Sequence, residues 1–95
     1  MAGNFQWDPR KAASNLKRHD VSFHEAISVF SNPLARIFDD EGQESDERRE
    51  IIIGHSARDR LLLVSFTERD NSVRIISARK ATKNERKDYE ESVSA

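Results

Sequence analysis

The period of apolar and polar positions changes along the chain, and each change predicts an element. Phe5-Gln6-Trp7 alternates as a short strand does, and Asp8-Pro9 stops it. Asp is a good N-cap and Pro suits the first helical position, so a helix starts there. Ala12, Ala13 and Leu16 share one face of that helix, Arg10, Lys11, Lys17 and Arg18 lie mostly off it, and it ends near His19. Ser22-Phe23-His24-Glu25 reads as a capping box, with Phe23, Ala26, Ile27 and Phe30 at helical spacing. A second amphipathic helix is therefore expected, ending before Asn32-Pro33.

From Leu34 the period is that of strands. Residues 35–38, 50–54, 61–67 and 73–78 are β-branched or aliphatic, with polar connections at 40–47, 56–60 and 69–72. The last two connections are short enough for consecutive antiparallel hairpins, so no parallel pair is expected. Thr82-Lys83-Asn84-Glu85 is a second capping box, opening a charged helix through about Glu91 before a frayed tail. The expected fold is α+β: an antiparallel four-stranded meander with two N-terminal helices and one C-terminal helix, in a single domain over residues 1–95. Helices against one sheet face leave the other for water, a partner or a substrate.

Composition narrows the classes of function. Charged residues are 35% and hydrophobic ones 36% of 95 residues, so nearly every apolar side chain is needed for the core. No apolar run is long enough to span a membrane, and Met-Ala-Gly-Asn-Phe lacks the features of a signal peptide, so a cytoplasmic location is expected. The absence of cysteine excludes disulfides and thiolate chemistry, and His19, His24 and His55 are too few for a structural zinc site, so no metal or other cofactor is implied. The net charge of −1 hides an asymmetry. Residues 39–50 hold seven acids and two bases, which leaves the remainder at +4, and residues 68–87 hold seven bases and three acids. Such runs are either solvated surface or patches that meet charged partners.

The stretches FQWDPRKAASNLKRHDVSFHEAISVF from Phe5, LLLVSFTERDNSVRIISARKAT from Leu61, and the following ER-x-x-YE at Glu85, Arg86, Tyr89 and Glu90 resemble the BrnT family of toxins. Each piece alone is weak, but together they span most of the chain outside the acidic stretch. The resemblance implies a RelE-like fold and an endoribonuclease toxin of a type II toxin-antitoxin pair that cuts RNA without a metal. It also implies a cognate antitoxin, expected as a 2:2 complex, with DNA bound only through that antitoxin. Where the family pattern has a helix-ending glycine this chain has Asp20, which tolerates the left-handed conformation at about 1 kcal/mol or less.

The reaction so implied needs the extra negative charge on phosphorus stabilised, one proton removed and another delivered. Arginine suits the charge, because its planar fork binds phosphate oxygens in pairs. Arg79 and Arg69 are the expected phosphate ligands, Glu68 a candidate base, and His19 a candidate acid or base because imidazole exchanges protons near neutrality. Lys80 and Lys83 are expected to contact RNA, and Tyr89 to stack on a base or bond a phosphate. Regular alternation would point Val73, Ile75, Ser77 and Arg79 to one side and Arg74, Ile76, Ala78 and Lys80 to the other. Antiparallel pairing puts Arg69 near the start of the following strand rather than near Arg79. Structural alternatives stand beside each: a surface charge for the arginines, a helix C-cap for His19, and a core edge for Tyr89 and Trp7. Two other classes of function stay open, a catalytically weak RelE-like module that holds an antitoxin and modulates its DNA binding, and a toxin that inhibits a protein target.

Overall fold

Local caps place the helices in the computed structural model, which describes residues 4–40 and 48–94. The Asp8 carboxylate accepts from the Arg10 amide at 2.8 Å and Pro9 opens α1 (Pro9–His19). Asp20 ends it in the left-handed region at φ 58°, its amide donating to the Leu16 carbonyl. Ser22 caps α2 (Phe23–Ser28), which tightens into a 3-10 turn at Val29–Ser31 and stops before Asn32-Pro33. Both halves of the Thr82 box form at the start of α3 (Lys83–Ser94): the Glu85 amide donates to Thr82 Oγ1 and the Thr82 amide to Glu85 Oε1. No helix among the described residues is long and apolar enough to cross a membrane.

The strands are β1 (Asn4–Gln6), β2 (Arg36–Asp39), β3 (Glu50–His55), β4 (Leu61–Arg69) and β5 (Ser72–Lys80), in the order β1-β5-β4-β3-β2. The meander β2 to β5 is antiparallel, as its short connections require, but the sheet is five-stranded and mixed. β1 lies parallel to β5, with Phe5 opposite Val73. That corrects the expected four-stranded, wholly antiparallel sheet. The reason is burial: beside β5, Phe5 packs edge-on against Phe30 at 5.2 Å, a contact that alternation in a three-residue strand cannot announce. Apart from Asp40, the expected acidic connection 40–47 lies outside the described residues.

The sheet has two unequal faces. On one, α1 and α2 cover Ile52, Leu62, Val64, Phe66, Val73, Ile75 and Ala78 with Phe23, Ala26 and Val29, all buried. On the other, α3 covers Ile53, Leu61 and Leu63 through Tyr89. That Val73, Ile75 and Ala78 share a face shows that alternation is broken in β5. Ser65 pairs with Ser77 and Phe66 with Ile75, leaving Ile76 as the extra residue of a β-bulge. The expected grouping of Ser77 and Arg79 with Val73 and Ile75 is thereby corrected. Beyond the bulge, Ser77 and Arg79 stand on the α3 face, opposite Ser65 and Leu63 of β4.

A third correction concerns α1. Its inward residue is Asn15, 7% exposed, while Leu16 is 49% exposed. β1 flanks β5 only as far as Arg74, so the backbone of Ala78 needs another partner. The Asn15 amide supplies it, accepting from the Ala78 N–H at 3.0 Å and donating to the Ala78 carbonyl at 2.8 Å and the Val21 carbonyl at 2.9 Å.

Candidate functional site

The α3 face is built in rows of cross-strand neighbours. Arg79, Leu63, Ile53 and Arg36 form one row, and Ser77, Ser65, Ile51 and Phe38 the next. Tyr89 anchors α3 over one end: its hydroxyl donates to the Leu34 carbonyl at 3.0 Å and its ring meets His55 edge-on at 5.8 Å. Where α3 does not reach, a groove remains, lined by Asp40, Arg49, Ile51, Leu63, Ser65, Ile76, Ser77 and Arg79.

Two guanidinium groups define its chemistry. Arg79 donates from Nη1 and Nη2 to the two oxygens of Glu85, both at 2.8 Å, and from Nη1 to the Lys80 carbonyl at 3.3 Å. These bonds leave Nε–H and one Nη2–H, a two-donor edge suited to a phosphate. The Arg79 hydrogen bonds and the capping amide of Thr82 outweigh burial and hold the Glu85 carboxyl down to about 2 from an ordinary 4.5, while Glu85 raises Arg79 above its usual value. Arg49 lines the same groove with a buried Nε that finds no acceptor among the described residues.

The groove continues around the β5 edge. Ile76 and Ser77, at the bulge, also line a recess formed by Lys11, Ser14, Asn15, Arg18 and His19 of α1. Three bases therefore flank Ser77 on the α1 side and two arginines on the sheet side, making one cationic surface. Bulges recur beside functional sites because they re-aim side chains, and here the bulge turns Arg79 away from the helix-covered core.

Of the residues expected from sequence, the fold brings His19 and Arg79 to this surface. Lys80 and Lys83 are exposed close by, at the end of β5 and the start of α3. Arg69 pairs with Ser72 at the other end of β5, seven residues from Arg79 or about 23 Å along a strand. Glu68 lines a groove with Phe5, Phe30 and Ile37 on the opposite sheet face. Tyr89 is 4% exposed, so its ring belongs to the core under α3 instead of offering a stacking surface. Trp7 packs edge-on against Phe23 and His24, the core role expected of it.

Sequence reasoning missed Arg49, whose charge is submerged in the acidic run, and the stripe Lys11, Ser14, Asn15 and Arg18. That stripe was legible, because i, i+3, i+4 and i+7 is the spacing of one helix face. Among the described residues no group of three His, Asp or Glu side chains could hold a metal ion.

The family model described as "Ribonuclease toxin, BrnT, of type II toxin-antitoxin system" matches residues 7–85. Among solved structures, the chain is similar to the ribonuclease toxin BrnT of Brucella abortus, with a TM-score of 0.65 and 22% identity over 84% of this chain and 97% of that one. That likeness is one of fold. No curated protein sequence matches.

Proposed function

The chain belongs to the BrnT family of ribonuclease toxins of type II toxin-antitoxin systems, and from that membership we propose that the Arg49–Arg79 groove cuts RNA without a metal. The 2′-hydroxyl of one nucleotide attacks the adjacent phosphorus and the bond to the 5′-oxygen breaks, leaving a 2′,3′-cyclic phosphate and a 5′-hydroxyl. One proton leaves the attacking hydroxyl and one is delivered to the departing oxygen. The open edge of Arg79 and the guanidinium of Arg49 stabilise the charge that grows on the non-bridging oxygens. His19, across Ser77, is the candidate proton carrier, and Lys80 and Lys83 hold the flanking backbone. Glu68 and Arg69 are given no step in this scheme, since they lie at the far end of the hairpin.

The observation that carries the proposal is the convergence in one groove of two arginines, Arg49 and Arg79. It is tested by incubating the purified protein with RNA in excess EDTA and identifying the product ends. Cleavage should persist, and Arg79→Ala and Arg49→Ala should each lower the rate roughly 10- to 1000-fold. Arg69→Ala should cost less than either. Loss of cleavage in EDTA, or a pair of groove variants that cut like the parent, would rule the scheme out.

A second reading, a catalytically weak module that holds an antitoxin, is favoured by the Arg79–Glu85 pair, which occupies half of the main phosphate ligand. It takes over if the protein binds its antitoxin but never cuts RNA. Membership in a type II family implies that antitoxin. We infer a 2:2 complex, action in the cytoplasm where RNA is met, and DNA contact through the antitoxin alone.

A further inference from the structure

Where α3 leans over the sheet it leaves a second cleft, lined by the apolar Phe38, Ile53, Leu63 and Tyr89 and by the charged Arg36, Glu85 and Asp88. Leu63 is common to this cleft and the arginine groove, and Glu85 in its lining is the residue that pairs with Arg79. We propose that the cleft receives a nucleobase and prefers guanine, with Phe38 as the stacking surface and Asp88 as the reader of the base edge, an assignment that rests on the RNA-cutting reading of the neighbouring groove.

The cleft and the groove call for different parts of a nucleotide. Phe38 is 48% exposed on the α3 face, an aromatic plane left open beside a phosphate-binding groove. Such planes hold the bases of single-stranded RNA by stacking. The groove places two arginines, Arg49 and Arg79, together for a phosphate, whereas the cleft sets Arg36 beside Asp88 and its other carboxylate, Glu85, is already paired with Arg79. A nucleotide therefore lies with its backbone along Arg49 and Arg79 and its base toward Asp88.

Donor and acceptor patterns then choose the base. Glu85 is committed to Arg79 and to the Thr82 amide. Asp88 is exposed, and its carboxylate has no hydrogen bond or ion pair among the described residues. An ionised carboxylate only accepts, through two oxygens side by side. Guanine offers two adjacent donors, N1–H and the 2-amino group, that match this spacing. Adenine and cytosine offer one amino group beside a ring nitrogen whose lone pair would face an oxygen. Uracil offers one N–H between two carbonyls. Only guanine meets both oxygens with hydrogens.

The test measures binding and cleavage separately. Short single-stranded RNAs identical except for a guanine, adenine, cytosine or uracil at one position are assayed for cleavage. The same four, made with 2′-O-methyl sugars that lack the attacking hydroxyl, are assayed for binding by fluorescence anisotropy. The guanine oligonucleotide should bind about 10-fold or more tighter than the others. Asp88→Asn presents one donor and one acceptor, which every base can meet, so the guanine preference should be lost. Phe38→Ala should weaken all four and Phe38→Trp should restore them. Equal binding of the four bases, binding of none, or an unchanged preference in Asp88→Asn overturns the base cleft. Equal binding with cleavage intact leaves the groove mechanism standing, whereas guanine-selective binding without cleavage keeps the cleft and removes the ribonuclease reading.

Discussion

Glu85 joins three features through one carboxylate: it closes the capping box of α3, pairs with Arg79, and lines the cleft beneath the helix. Its folded-state pKa of about 2 lies below the ordinary 4.5, so its contribution to stability is fully present above about 4.5 and is lost as pH falls toward 2. Glu25 shifts in the same direction, chiefly through its hydrogen bonds from Arg60, so its contribution to stability is likewise lost on acidification. Glu85→Gln should therefore flatten part of the decline in urea midpoint between pH 4.5 and 2, with Glu25 keeping the rest. Because Arg79 is 42% exposed, the difference at neutral pH should be only about 1 kcal/mol after solvent screening. An unchanged acid profile in Glu85→Gln would show that the pair carries no folding energy.

At the scale of elements, two similar sequence signals lead to different tertiary uses. Thr82-x-x-Glu85 forms a complete capping box. In Ser22-x-x-Glu25 only the serine half forms: the Glu25 side chain turns inward to Ser56 at 2.7 Å and to Arg60, which also donates to the Asp20 carbonyl at 2.8 Å. That carboxylate thus ties the end of α1, the start of α2 and the β3–β4 turn. Asn15 plays the equivalent part for β5, completing the sheet edge where β1 ends. Asn15→Ala removes three buried hydrogen bonds and leaves both backbone groups of Ala78 unpaired, so it should destabilise the protein by about 2–4 kcal/mol in urea unfolding. A loss below about 0.5 kcal/mol would mean that water replaces the amide and that α1 is not what seals this edge.

For the whole molecule, the two faces divide the work. The α1–α2 face holds the larger core, while the α3 face combines a smaller core with the groove. The near-neutral net charge averages an acidic run at residues 39–50, two of whose members, Asp40 and Arg49, line the groove, with a basic remainder. The same separation of charge suits an antitoxin, with opposite charge speeding encounter and apolar anchors supplying most of the affinity. Co-expression with its antitoxin should give a complex of two toxins and two antitoxins by size-exclusion chromatography with light scattering. The interface should bury on the order of 1,200–2,000 Å². The complex should bind its promoter DNA and the isolated chain should not. Separate elution of the two proteins would contradict the assembly.

Local chemistry is sufficient for much of this protein, and that part could be read from sequence. Caps at Asp8, Ser22 and Thr82, the left-handed Asp20 and the short connections of the meander each depend on residues a few positions apart. The spaced motif that marks the family was legible for the same reason: it is a property of residue order. What tertiary structure decided is non-local. Nothing in Phe5-Gln6-Trp7 says that its strand lies beside β5, because that choice depends on an edge formed more than sixty residues later. The inward turn of Asn15 depends on the same edge. A bulge adds one residue without a composition signal and reverses the facing of everything beyond it, which is how Arg79 reached the α3 face. Arg49 was hidden by its acidic neighbours until the sheet set it beside Arg79. Residue order therefore marked the family, but which arginines share a groove was settled by strand order, register and one extra residue.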